Sequence, residues 1–257
     1  MSKYCLVERE GPITIVTINR PEVMNALHTP THYELERIWD DFANDPDQWV
    51  GIITGAGDRA FSAGQDLKST ADGASLDFGK SGFGGLSLRD GLNKPIIAAV
   101  NGVAMGGGFE IALACDIIVA SEDAKFALPE ARVGLAALGG GIQRLPRTIG
   151  LKRAMGMLLT GRTVSAREGY DLGFVTALAP PGQALAEAKD WARQILECSP
   201  MSVRATKEAA MQGLAVPDLA TALRVEFEAV KELHRSVDFI EGPKAFAEKR
   251  RPNWAGR

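Results

Sequence analysis

Two glutamates and a run of glycines are the residues of this chain whose types suggest catalysis. Glu110 follows three consecutive glycines that begin at Gly106, and Glu130 follows a proline. Apolar segments at 95–100 and 109–115 flank the glycines, which predicts a strand, a turn and a helix. The first N–H groups of a helix lack partners and favour negative charge, and glycine lets a ligand approach them closely. We therefore predict a site where an anion forms beside a carboxylate.

Motifs of other enzyme classes are missing or incomplete. The chain contains no G-x-S-x-G segment, which argues against a serine hydrolase of the usual α/β type. No Walker-type lysine follows a glycine loop, which argues against phosphoryl transfer. The segment 55–60 reads G-x-G-x-x-A after a predicted strand, as in dinucleotide-binding proteins, but no helical pattern follows it. Asp77, the acidic residue at the required distance, lies inside a Gly- and Ser-rich stretch. What remains is backbone donors, which suit an enolate or a tetrahedral oxyanion, and carboxylates, which suit proton transfer.

The composition and net charge of the chain argue against some classes of binding partner. The chain has 257 residues, 46% of them apolar, and a formal net charge of −3, so we expect neither nucleic acid nor an anionic membrane as a partner. Every apolar run is shorter than the ~18 residues of a membrane span. Cys5, Cys115 and Cys198 show no metal-ligand spacing, and the histidines form no cluster. We expect reduced thiols, a cytoplasmic location and no metal.

The order of patterns predicts an α/β fold. Strands are predicted at 13–18, 50–54, 95–100, 117–120 and 174–178, and helices are predicted between several of them. After about residue 180 only helices are predicted, at 183–197, 199–213, 217–235 and 238–249. This predicts a core over residues 1–180 and a helical C-terminal region over 181–257. Residues 69–85 are rich in Gly, Ser and Asp and predict a mobile surface loop, either a lid or a tolerated insertion.

These motifs resemble those of the crotonase, or enoyl-CoA hydratase/isomerase, superfamily. The similar segments are 61–68, 101–110, 127–135, 140–147 and 241–250. The similarity covers nearly the whole chain, from Val16 to Arg250. The resemblance implies a fold of stacked ββα units and a homotrimer or dimer of trimers.

The resemblance also implies a site. The backbone N–H groups of Gln65 and Gly107 would form an oxyanion hole for the thioester oxygen of an acyl-CoA. Glu110 and Glu130 would hold a water between them and add it across a trans-2 double bond. Further substrate-binding positions implied by the resemblance are Ser62, Ala63, Gly64, Asp66, Leu67, Lys68, Gly106, Phe246 and Lys249. No cofactor is implied, because coenzyme A is part of the substrate.

Several functions stay open within this framework. The main prediction is an enoyl-CoA hydratase, and the alternative is a carnitinyl-CoA dehydratase, which segments 77–86 and 246–257 resemble, or another crotonase-type acyl-CoA isomerase or hydrolase. Gln65 stands where such a dehydratase is expected to carry an aromatic residue, and cation–π contacts usually hold a trimethylammonium group. A silent acyl-CoA-binding protein is the non-enzymatic alternative. Without the resemblance, Glu110 and Glu130 could be glutamates that only favour a helix dipole.

Overall fold

Two β-sheets form the centre of the computed structural model, which describes residues 3–68 and 77–257. The six-stranded sheet contains, in spatial order, β1 (Cys5–Glu10), β2 (Ile13–Ile18), β3 (Val50–Gly55), β5 (Ile96–Val100), β7 (Ile117–Ser121) and β10 (Ala177–Ala179). The four-stranded sheet contains β4 (Ala60–Ser62), β6 (Val103–Met105), β8 (Lys125–Ala127) and β9 (Val164–Ser165). All neighbours are parallel except β1 with β2 and β8 with β9. The predicted α/β class is confirmed.

Helices cover these sheets. Their bounds are α1 (Thr29–Asn44), α2 (Gly107–Ala114), α3 (Gly141–Ile149), α4 (Leu151–Leu158), α5 (Ala166–Leu172), α6 (Ala184–Leu196), α7 (Pro200–Gly213), α8 (Leu219–Ala222), α9 (Glu228–Arg235) and α10 (Val237–Ala247). Short 3-10 turns occur at Pro21–Val23, Phe83–Gly85 and Glu130–Val133. Helix α6 packs Ala188 and Ala192 into a cluster with strand residues that include Ile52 and Ile97, which lie on one face of the large sheet. The boundary near residue 180 stays a prediction.

Three successive units of the chain follow the same course. In each unit a strand of the large sheet turns into a strand of the small sheet: β3 leads to β4, β5 to β6, and β7 to β8. The first strands are almost wholly buried and rich in β-branched residues or alanine, as the centre of a parallel sheet requires. A helical segment follows the second strand in the middle and last units, namely α2 and the 3-10 turn Glu130–Val133. These are the stacked ββα units that the resemblance implied.

Four expectations about local structure were wrong or incomplete. Strand β1 and the four strands of the small sheet, β4, β6, β8 and β9, had no prediction. The strand predicted at 174–178 starts only at Ala177, because the N–H groups of Phe174 and Val175 bond to Gly169 O at the end of α5. The helix predicted at 217–235 is two helices, since Glu208 of α7 accepts the N–H of Ala229 and a new helix begins there. The predicted surface loop is wrong for residues 81–85, which are buried, and its part from 69 to 76 lies outside the described residues.

Among the helices of the described residues, none combines the length and apolar character that a membrane span needs.

Candidate active site

The three units bring their turns to one edge of the small sheet. Strands β4, β6 and β8 are parallel neighbours, so the chain leaves all three at the same edge. Gln65 follows β4, Gly107 follows β6, and Glu130 follows β8. The topology thus gathers three of the predicted site residues, and Glu110 is in the first turn of α2 at the same edge.

The peptide groups that carry the two predicted oxyanion donors lie side by side. A Cβ on Gly64 would lie 2.9 Å from the nitrogen of Gly107. Gly64 O accepts the N–H of Leu27 at 2.7 Å, and Gly106 O accepts the N–H of Glu110 at 3.0 Å. Because C=O and N–H point in opposite directions in a trans peptide, these bonds aim the N–H of Gln65 away from Leu27 and the N–H of Gly107 out of the start of α2. Two backbone donors are therefore fixed at one place by the fold.

Glu110 is buried, with 4% of its surface exposed. Its Oε1 accepts the N–H of Gly141 at 2.9 Å, and a Cβ on Gly139 would lie 2.5 Å from its Oε2. Gly139 and Gly141 thus lie against this carboxyl group, and a side chain at Gly139 would displace it. Burial raises the pKa of Glu110 to about 7, the N–H of Gly141 opposes this, and the charge of Glu130 adds to it. Such a carboxyl group can both accept and donate a proton near neutral pH.

Glu130 sits in the 3-10 turn that follows β8. A Cβ on Gly106 would lie 3.0 Å from its Oε1, so this carboxyl group faces the backbone that leads into α2. Its Oε2 is buried and has no hydrogen-bond partner among residues 3–68 and 77–257. Burial raises the pKa of Glu130. A buried carboxyl oxygen without a protein partner is a place for a water or a ligand.

A segment over residues 77–89, buried from 81 to 87, covers this edge and is tied to α1. Glu36 of α1 accepts the N–H of Ser81 at 2.8 Å, and Arg89 pairs with Asp40 at 2.7 Å. Arg144 of α3 donates to Ser87 O at 2.8 Å. These bonds place the ring of Phe83 directly over the backbone of Gly107, where a Cβ would overlap the ring. The segment is therefore a fixed wall of the site.

Most of the first loop serves the scaffold as well as the site. Ser62 donates to Asn25 O at 2.8 Å and accepts the N–H of Gly64 at 3.1 Å, which shapes the turn before Gln65. Ala63 N–H bonds to Met24 O, and Asp66 pairs with Arg20 at 3.1 Å. The side chains of Leu67 and Lys68 are exposed.

The two predicted positions near the C-terminus lie elsewhere in the fold. Phe246 is on α10 and 87% exposed, so within one chain its ring is not packed on the first loop. Lys249 follows α10 and is also exposed. One chain therefore does not by itself bring these two side chains to the glutamates.

Sequence reasoning missed three residues of this edge. Phe83 and Arg144 gave no signal, because their roles depend on how a loop and a helix pack far along the chain. His32 could have been found, since it shares the buried face of α1 with Leu35 and Trp39 at helical spacing. In the part of the chain that the structure describes, no group of three or more His, Cys, Asp or Glu residues is arranged to hold a metal.

Several known proteins are similar to this chain in sequence or in both sequence and fold, over nearly the whole length of both chains. Residues 8–257 match the family described as enoyl-CoA hydratase/isomerase. The chain is 41% identical over 263 residues to a carnitinyl-CoA dehydratase of Escherichia coli (strain K12), covering 100% of both chains. An enoyl-CoA hydratase structure from Mycobacterium tuberculosis H37Rv is 40% identical with a TM-score of 0.91 and 99% of each chain covered. A carnitinyl-CoA hydratase structure from Mycobacterium avium is 36% identical with a TM-score of 0.80 and 100% of each chain covered.

Proposed function

This chain belongs to the enoyl-CoA hydratase/isomerase family, and we propose that it adds water reversibly across the trans-2 double bond of an enoyl-CoA. In that reaction it is a hydro-lyase. The observation that carries the proposal is the gathering, at one edge of the small sheet, of two backbone donors, the buried Glu110 and the partly buried Glu130, whose Oε2 is buried.

The backbone donors act on the thioester. When hydroxyl attacks Cβ, negative charge moves to the thioester oxygen as an enolate forms. The N–H groups of Gln65 and Gly107 would stabilise that charge, and the loss of one such donor typically costs about 10²–10³ in rate. Because peptide bonds of the fold hold both groups, little reorganisation is needed during the reaction.

The glutamates act on the water. One carboxylate accepts a proton from the water as its oxygen bonds to Cβ, and a carboxylic acid supplies the proton that Cα receives. Burial, together with the charge of Glu130, raises the pKa of Glu110 to about 7, so near neutral pH Glu110 can be either an acid or a carboxylate, and burial also raises the pKa of Glu130. Such a pair can act as base and acid in the same turnover. The unpartnered Oε2 of Glu130 supports placing the water beside it.

The names of two relatives support a second candidate for the acyl group of the substrate. A curated relative at 41% identity and a solved structure at 36% are named for carnitinyl-CoA, which carries a trimethylammonium group. We therefore propose crotonobetainyl-CoA hydration, the reverse of carnitinyl-CoA dehydration, as the alternative reaction of the same residues. Gln65 offers no aromatic face to such a cation, which favours the plain enoyl-CoA.

The remaining features of the proposal concern assembly and location. We propose a homotrimer or a dimer of trimers, because large apolar side chains are exposed on the helical C-terminal region, among them Leu214, Leu219, Leu223 and Phe246. A neighbouring copy would then bring Phe246 and Lys249 to the coenzyme A of another chain. We propose a cytoplasmic enzyme, consistent with its free thiols, that needs no cofactor beyond its substrate.

The experiment that tests the function compares substrates. Purified protein is mixed with crotonyl-CoA or crotonobetainyl-CoA, and the enoyl-thioester absorbance and free thiol are followed together. Loss of absorbance without thiol release supports a hydratase, and the faster substrate decides the acyl group. Thiol release would mean a thioester hydrolase, and no change on either substrate with coenzyme A binding intact would contradict the enzymatic proposal.

A further inference from the structure

His32 is buried on α1 and bonds to both sides of the candidate oxyanion hole. Its Nε2 lies 3.3 Å from Oε1 of Gln65, and its Nδ1 lies 3.1 Å from the backbone nitrogen of Gly84. The side chain has 0% of its surface exposed. One imidazole ring therefore joins the first loop to the segment 77–89.

The two hydrogen bonds define the state of the ring. A backbone N–H can only donate, so Nδ1 of His32 accepts the bond from Gly84 and carries no proton. The proton of the neutral ring is then on Nε2, which donates it to the side-chain oxygen of Gln65. Burial lowers the pKa of His32 to about 4, so the ring stays neutral at physiological pH.

Each bond leads to one of the two donors. Gln65 carries the first donor on its own backbone, next to the peptide that touches Gly107. Gly84 follows Phe83, whose ring covers the backbone of Gly107, the second donor. The rings of His32 and Phe83 also contact each other edge-on, with centroids 4.4 Å apart.

We propose that His32 is a positioning residue for the hydration, which sets the separation of the two oxyanion donors through Gln65 on one side and Phe83–Gly84 on the other. The proposal rests on the proposed function. It does not make His32 a catalytic residue, because no atom of the ring has to touch the substrate.

This role predicts a specific kinetic pattern. The two N–H groups act most strongly on the charge that develops in the transition state, so a small displacement lowers kcat more than it raises KM. Most binding of an acyl-CoA comes from its nucleotide and pantetheine parts, which a shift at the oxyanion hole leaves in place. If His32 only fills the core, its replacement will lower the stability of the enzyme and leave kcat of the folded enzyme unaltered.

Single variants test each bond with crotonyl-CoA as substrate, or crotonobetainyl-CoA if that is the faster one. His32→Ala removes both bonds, and we expect kcat to fall roughly 10- to 100-fold with KM within about threefold. His32→Asn keeps an acceptor near Gly84, and His32→Gln keeps a donor near Gln65, so each should recover part of the lost kcat. His234→Asn, an exposed histidine on α9, is the matched control and should keep wild-type kcat.

A double-mutant cycle tests whether His32 acts through the side chain of Gln65. Gln65→Ala keeps the backbone N–H but removes the side chain that His32 holds. If His32 acts partly through this side chain, the losses in the double variant will be less than additive.

Two results would overturn the role of His32. One is wild-type kcat in a folded His32→Ala variant, or, should that variant not fold, in both His32→Asn and His32→Gln. The other is strict additivity of His32→Ala and Gln65→Ala. An inactive wild type on every enoyl-CoA would instead overturn the proposed function, so the two failures are distinguishable.

Discussion

Two carboxyl groups in different regions of this molecule, those of Asp238 and Glu130, differ in what surrounds them. Asp238 at the start of α10 is 3% exposed, and both of its oxygens have donors: Ser199 Oγ at 2.8 Å and the N–H groups of Ala255 at 2.7 Å and Gly256 at 3.3 Å. Glu130 as a whole is only partly buried, but its Oε2 is buried and has no hydrogen-bond partner among the described residues. The carboxylate of Asp238 is satisfied by the protein and fixes the C-terminal segment. The carboxyl of Glu130 is left for something that the chain does not supply, which is the arrangement expected of a reactive group.

The largest expected difference between the two regions is in activity. Glu110→Gln and Glu130→Gln should each lower kcat on the preferred enoyl-CoA by about 10²–10⁴, because a positioned acid or base typically contributes that much. Steady-state rates and coenzyme A binding should be measured together, and binding should be retained. Glu168→Gln is the control, since Glu168 is also a first-turn glutamate but is paired with Arg162 on the surface. Equal losses in all three variants would contradict the assigned roles.

The second expected difference is between an alanine substitution at a glycine of the site and one at a glycine outside it. Gly107→Ala places a Cβ against the ring of Phe83, so either the ring or the donor must move, and kcat should fall by about 10²-fold. Gly156→Ala is the matched control, because a Cβ on Gly156 within α4 meets nothing within 4 Å. It should raise the free energy of unfolding by about 0.5–1 kcal/mol and leave kcat unchanged. A fully active Gly107→Ala variant would show that this contact does not position the donor.

The third difference is in the dependence of stability on pH. Glu110 has a pKa of about 7 in the folded chain against its ordinary value of 4.5, so the folded state holds the proton longer than the unfolded state. Stability therefore falls as pH rises from 4.5 to about 7 and is level above that. Glu110→Gln removes this penalty and should be more stable than wild type by up to about 3 kcal/mol at pH 8, with no such gain at pH 4. Urea unfolding at both pH values checks it, and a gain equal at both would contradict the cause.

The smallest expected effect lies in the C-terminal region. Asp238→Asn leaves an amide N–H₂ against backbone donors and should lower the free energy of unfolding by about 1–3 kcal/mol. The rate per folded molecule should stay within about twofold of wild type. Asp190→Asn, on the exposed side of α6, should change neither quantity. Denaturant unfolding and assays well below the transition separate the two effects, and a large loss of kcat with unchanged stability would oppose the structural role of Asp238.

The contrast between the regions also explains what the sequence could predict. The strands at 13–18, 50–54 and 117–120 and the glycines before Glu110 were recognisable because burial and turn formation leave local patterns. The course of residues 81–87 was not, since their composition is typical of a surface loop, and they are held in the interior by contacts with distant residues that include Glu36, His32 and Arg144. The glycines at 139–141 were recognised as a helix start, but the contacts of Gly139 and Gly141 with Glu110 join two distant segments. Local signals thus located the glutamates, and long-range packing determined their surroundings.

The most direct test of the hydration mechanism follows the water itself. Crotonyl-CoA, or crotonobetainyl-CoA if that is the faster substrate, is incubated with the enzyme in oxygen-18 water, and the products are examined by mass spectrometry. The two-glutamate mechanism predicts an intact thioester with the heavy oxygen in the new 3-hydroxyl group, at a rate that collapses in Glu130→Gln. Free coenzyme A with the label in a carboxylic acid, or an unlabelled thioester, would contradict it.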